Sequence, residues 1–161
     1  MERIAIGCDE AACEFRDAVK ALLIKKGYEV EDFGTFDNKP VLYPDIAVAV
    51  SEAVARGEFP RGILICGTGI GMAISANKVP GIRAAVCHDP FSAARSRKSN
   101  DCQIMCMGAR IIAPQLGCML VEQWLTCDFE GGGSAAKVDR IKEYEQGHMA
   151  GGEHAGTCSC D

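Results

Sequence analysis

The segment ILICGTGIGMA, residues 63–73, is an apolar run that ends at Cys66 and turns into a loop with glycine at 67, 69 and 71. A thiol and closely spaced glycines at the end of a buried strand suit three chemistries. Dinucleotide binding needs glycine, any residue, glycine, two residues, then glycine or alanine, so that a helix can close on the strand. Gly67 and Gly69 fit, but Met72 fills the third place. Asp89 lies about 20 residues further on, near the end of the next apolar run, and keeps this reading open. Phosphate-ester hydrolysis by a cysteine nucleophile needs an arginine six residues after the thiol to clamp the phosphate. That place is again Met72, so the clamp is missing.

The third chemistry is proton transfer next to a carbonyl. A cysteine at a helix N-terminus has its thiolate favoured by the helix dipole and by free backbone N–H groups. Glycine amides that approach a ligand closely can hold an oxyanion. Base and stabiliser for an enediolate would then stand side by side. Spacing alone does not separate this reading from an inert cysteine before a tight turn.

Positioning such a loop requires a scaffold, and the chain alternates accordingly. β-rich runs occur at 3–8, 29–33, 62–67, 82–87 and 104–108. Between them lie helical patterns. One places Phe15, Val19, Leu22 and Leu23 on one face and stops at Lys25, Lys26 and Gly27. Segments 43–57, 89–100 and 113–125 each begin with a proline near the first turn, and 137–146 is a polar outer helix. Five strands alternating with helices predict an α/β fold with an open, largely parallel sheet covered on both faces. Ligands of such sheets sit beyond the carboxyl ends of the strands, where the strand order reverses. Asp9, Glu10, residues 66–71, His88, Asp89 and residues 108–110 occupy those places.

The remaining composition narrows the partners. With 161 residues, 48% hydrophobic and 24% charged, the chain reads as one globular domain. A net charge of −5 offers no footprint for nucleic acid. No leader is read at MERIAIGCDE, and no apolar run approaches the ~20 residues of a membrane span, so a cytoplasmic location is expected. Of ten cysteines, Cys8, Cys66 and Cys87 close apolar runs, while Cys106 and Cys118 sit among hydrophobes. This is how buried free thiols behave in a reducing compartment. The pair Cys102 and Cys106 reads as core packing, and Trp124 as packing or a dimer contact. No paired zinc knuckles occur, and His154, Cys158 and Cys160 in the small, polar tail read as a frayed terminus.

The motifs together resemble a known family. GCDE at 7–10, YPD at 43–45, residues 62–87, SRKSND at 96–101, GARII at 108–112 and WLTCDFEGG at 124–132 run in the order of the ribose-5-phosphate isomerase B / galactose-6-phosphate isomerase family. The resemblance covers about residues 1–147, leaving 148–161 as a tail expected to be flexible. It implies a Rossmann-like three-layer α/β/α sandwich with a five-stranded parallel sheet, no cofactor and no metal. It also implies a homodimer, with a tetramer open, whose sites lie between subunits. The implied reaction is aldose–ketose isomerisation of a sugar phosphate in the pentose phosphate pathway. Ribose 5-phosphate leads, with six-carbon sugar phosphates or binding without catalysis as alternatives.

Position by position, the resemblance makes Cys66 the base between C1 and C2. Thr68 would handle substrate hydroxyls, and Gly67, Gly69 and Gly71 would supply anion-binding amides. Asp9 would contact sugar oxygens, Tyr43 would line the pocket, Asn100 would hydrogen-bond the enediolate and Arg110 would bind phosphate. Five positions depart from the family pattern. Glu10 and Ser99 stand where histidines are usual, the latter credited with opening the sugar ring. Gly133 and Ser134 replace an arginine and a histidine. Lys137 replaces a phosphate arginine, keeping the charge without its bidentate geometry. Ring opening would pass to water, Ser99 or His88, and Arg140 is a remote substitute for the lost arginine.

Overall fold

A computed structural model describes residues 1–150. The chain alternates β1 (Arg3–Cys8), α1 (Cys13–Lys25), β2 (Glu29–Asp32), α2 (Tyr43–Ala55), β3 (Arg61–Cys66), α3 (Ile70–Ala76), β4 (Ala84–Val86), α4 (Pro90–Lys98), β5 (Ile104–Gly108), α5 (Pro114–Leu125) and α6 (Ala135–Met149). The five strands form one parallel sheet in the order β2-β1-β3-β5-β4, as the alternating pattern predicts.

Strand residues alternate between two cores because successive side chains point to opposite faces. Ile4, Ile6, Ile63, Ile65, Met105 and Met107 pack under α1, α4 and α5, with Phe15, Val19, Leu23, Val121 and Trp124 closing that layer. Ala5, Leu64, Cys66, Ile104 and Cys106 pack on the other side against α2 and α3. In the first of these layers Trp124 is fully buried, with the Arg61 guanidinium 5.4 Å from its ring centre, so its task is packing. Cys106 is likewise core, and burial pushes its thiol well above the ordinary range. Among the described residues, no group of three His, Cys, Asp or Glu side chains is placed to hold a metal.

Local signals explain the helix ends. Proline opens α2, α4 and α5, and the Asp89 carboxylate accepts from the Ser92 N–H at 2.8 Å as the N-cap of α4. Gly27, at φ +89°, lets the chain leave α1. Leu22 is only half-buried, and Arg16 takes the inward place instead. Its Nη1 meets Asp32 Oδ1 at 2.8 Å, and Lys20 completes the cluster at 2.9 Å. The last helix reaches Met149, two residues into the segment expected to be a tail. Residues 151–161, with His154, Cys158 and Cys160, lie outside the described residues. No described helix is long and apolar enough to cross a membrane.

Candidate active site

Strand order reverses between β1 and β3: the chain leaves β1 for β2 on one side and builds β3, β5 and β4 on the other. The carboxyl ends of β1 and β3 therefore flank the crevice such sheets use for ligands. Asp9 and Cys66 stand there, tied by the Asp9 N–H donating to the Ile65 carbonyl at 3.1 Å. Cys66 is 4% exposed, and the Gly69 N–H donates to its Sγ at 3.1 Å. Gly69 achieves this in a left-handed conformation, φ +78°, with its Cα pressed on the Met107 backbone. A Cβ there would lie 2.9 Å from the Met107 carbonyl carbon, so only glycine fits.

The loop amides are employed differently from the sequence expectation. The Ala11 N–H donates to the Asp9 carboxylate at 3.0 Å, and the Gly67 N–H also favours that carboxylate's charged form. The Gly69 N–H serves the sulfur. Gly71 lies in the first turn of α3, and the Tyr43 ring covers it so closely that a side chain there would collide with the phenol. Thr68 Oγ1 accepts from the Ile70 N–H at 3.3 Å and so helps start α3. The loop first organises its own thiol and carboxyl.

Electrostatics at the crevice are uneven. Burial raises the Asp9 carboxyl above its ordinary value. The Ala11 N–H opposes this, Glu10 adds to it, and Arg110 and the Gly67 N–H oppose it. Arg110 is anchored by its own N–H on the Gly67 carbonyl at 3.0 Å. Its guanidinium runs along Gly67, where a Cβ would lie 3.3 Å from Nη1. No carboxylate pairs with Arg110 among the described residues, which leaves its donors for an anion. Glu10 turns aside: its Oε2 accepts from the Val41 N–H at 3.3 Å, and it lines a concavity of about 560 Å³ with Arg16, Asp17 and Phe36.

Three of the candidate residues stand elsewhere. Ser99 and Asn100 follow α4 and precede β5, whose far end pairs Gly108 with Cys66. They belong to the amino edge of the sheet, a strand's length, roughly 15 Å, from the thiol. The Asn100 carbonyl accepts from Arg83 Nε at 2.9 Å, and the residue lines a groove of about 370 Å³ with Asn77, Arg83 and Cys102. Ser99 closes α4 with its Oγ buried and unpartnered. Lys137 lies exposed near the start of α6. Arg140, the remote substitute, is taken up by Glu143 at 2.6 Å and by the face of Tyr144. Asp89, the acid a dinucleotide site would use, is held as a helix cap.

His88 is the residue whose contact the sequence did not reveal. Its Nε2 accepts from the Gly108 N–H at 2.9 Å. The signal was hidden because the apolar run 82–87 reads as strand to its end, whereas β4 stops at Val86.

The fold and the contents of its switch point define the class: an α/β/α sandwich enzyme whose candidate groups stand at the carboxyl edge of a parallel sheet. Comparison gives the family. The family model described as ribose/galactose isomerase matches residues 4–141, and the chain belongs to that family of aldose–ketose isomerases. It is 54% identical over 144 residues to the ribose-5-P isomerase B of Listeria innocua, covering 89% of this chain and 97% of the relative. It is 49% identical over 148 residues to the D-erythrulose-4-phosphate isomerase of Pectobacterium atrosepticum, covering 90% and 96%. The structure of a Clostridium thermocellum ribose-5-phosphate isomerase B superposes with a TM-score of 0.89 at 46% identity, covering 91% of this chain and 99% of the other.

Proposed function

We propose that this protein interconverts ribose 5-phosphate and ribulose 5-phosphate, with Cys66 as the base. The observation that carries the reading is the Cys66 sulfur at the switch point, held by the Gly69 N–H between Asp9 and the unpaired Arg110. The Cys66 thiolate takes the proton from C2 of the open-chain aldose. The C2–H electrons form the C1–C2 double bond, and the carbonyl oxygen becomes the enediolate oxygen. The thiol returns a proton to C1, the proton of the C2 hydroxyl passes to the C1 oxygen, and the ketose results. Asp9, whose carboxyl burial raises above its ordinary value, exchanges protons with the sugar oxygens. Arg110 holds the phosphate as a charge-assisted donor. Pentose phosphate metabolism would then be its setting.

Completion of the site draws on a second copy. Ser99 and Asn100 lie at the opposite edge of the sheet from Cys66, so one chain cannot bring them to its own thiol. In a homodimer the amino edge of one subunit would cover the carboxyl edge of the other. Asn100 would meet the enediolate and Lys137 the phosphate.

A second reading, isomerisation of a four-carbon sugar phosphate, is favoured by Ser99 together with the erythrulose-4-phosphate relative. A tetrose esterified at its terminal oxygen has no hydroxyl placed to close a five-membered ring. Its isomerisation therefore needs no ring-opening group. Aldose–ketose conversion of four-, five- and six-carbon sugar phosphates, with unphosphorylated ribose as control, separates the readings. The leading proposal expects the highest kcat/KM for ribose 5-phosphate. A tetrose phosphate turned over faster by tenfold or more would replace it.

A further inference from the structure

We infer that His88 is a positioning residue of the isomerase, anchoring the Gly108 joint from which both the Arg110 turn and the Thr68 loop are hung. The inference rests on the isomerase reading above and extends it to a residue that does not touch the reacting atoms.

The need for an anchor follows from how the sheet ends. On the β4 side of β5, the Ile104 N–H donates to the Arg83 carbonyl at 3.3 Å, and the Cys106 carbonyl accepts from the Cys87 N–H at 3.0 Å. In a parallel ladder every second residue faces the same neighbour. Gly108 therefore points its N–H the same way, but β4 has ended at Val86 and no strand carbonyl waits there. A buried backbone donor without an acceptor is costly. The His88 imidazole takes the place of the missing strand, accepting at 2.9 Å.

Gly108 carries more of the site than its size suggests. A Cβ on it would fall 2.7 Å from Thr68 Cα, so the two backbones are in direct contact. Its carbonyl accepts from the N–H groups of Ile111 and Ile112 at 3.0 and 3.1 Å, closing the turn that presents Arg110. On the other side, the Ala109 N–H donates to the Cys66 carbonyl at 2.8 Å. Movement at Gly108 therefore shifts the guanidinium and the thiol loop together.

The anchor has a defined protonation state. Because Nε2 accepts, the ring proton resides on Nδ1, and a second proton would set two N–H groups against each other. Burial holds the imidazole below its ordinary range, against the pull of Asp89, the α4 cap that is the charged group acting on the ring. From β5 the ring meets a backbone N–H. The anchor is thus intact at neutral pH and breaks in acid, below the ordinary histidine value.

Two variants test this. His88→Leu removes the acceptor, and His88→Gln replaces it with an amide oxygen at similar reach that does not titrate. His88→Leu should lower kcat/KM by about ten- to a hundredfold. His88→Gln should recover it to within about threefold at neutral pH and should lose the acid limb that His88 gives the wild-type profile. A glutamine variant as impaired as the leucine variant, or a leucine variant with wild-type kcat/KM from acid to neutral pH, overturns the inference. If His88→Leu does not fold, the glutamine pH profile decides by the same criterion. A second readout is independent of catalysis: the Gly108 amide ¹⁵N–¹H resonance should titrate with His88 in wild type and stay still in His88→Gln. Wild type without isomerase turnover would sink the isomerase reading, and the amide titration would still report on the anchor. A Gly108 resonance that ignores His88 sinks the anchor itself.

Discussion

The Gly69 N–H donates to Cys66 Sγ at 3.1 Å from a backbone conformation that only glycine holds comfortably. The relationship makes the third residue after the thiol part of its chemistry. Gly69→Ala must rotate φ away from +78° or push its Cβ into the Met107 backbone. The cost should be about 1–3 kcal/mol of stability, read by denaturant unfolding. Catalysis should fall further than stability implies, because the sulfur loses its donor.

Asp9 gives a pH signature. Burial raises its carboxyl, so the folded protein binds a proton more readily than the unfolded chain. Stability from this group is present in acid and falls as pH rises from the ordinary carboxylate range through the raised folded value. Asp9→Asn removes that loss. The variant should be more stable than wild type at neutral pH, with the advantage vanishing near pH 4. Its isomerase activity should be much lower. Equal stability of the two proteins at neutral pH would contradict the burial argument.

Arg110 is the unpaired guanidinium of the crevice. Arg110→Ala should raise KM by about ten- to a hundredfold with a smaller effect on kcat. Gly133 has ordinary φ and open space where a Cβ would stand, so Gly133→Arg should fold normally. Combined with Glu10→His, it should lower KM for phosphorylated substrates and leave turnover of unphosphorylated ribose unchanged. Wild-type KM in Arg110→Ala would place the phosphate elsewhere.

Much of this was written in the chain. Short apolar runs bounded by glycine and proline gave five strands, and the proline starts gave α2, α4 and α5. The position of Asn100 was legible too: a residue that precedes a strand belongs to the amino edge of a parallel sheet, away from residues that follow one. Other features were not legible. The order β2-β1-β3-β5-β4 depends on which crossovers pack best, and no local pattern encodes it. Arg16 looked misplaced on an apolar helix face until Asp32 met it. The glycine spacing announced a ligand-binding loop, but not that the Gly69 amide serves Cys66 and the Ala11 amide Asp9. Such pairings are set by angles of a few degrees, which residue types do not carry.

Subunit sharing makes a quantitative prediction. Cys66→Ala and Asn100→Ala dimers are each expected to be inactive. After exchange, half the dimers are hybrids with one intact site, so activity should rise to about a quarter of wild type. Confirmed exchange without recovery would mean that the two residues do not meet across an interface.

The most direct test of the central claim follows hydrogen at C1 and C2 of ribose 5-phosphate by NMR in D₂O. Wild type should place solvent deuterium at C1 of the ribulose 5-phosphate formed and at C2 of recovered aldose. Cys66→Ala, with an unchanged fold by circular dichroism, should slow both by about 10²–10⁴-fold. A Cys66→Ala protein that exchanges these hydrogens at the wild-type rate would show that another group moves the proton.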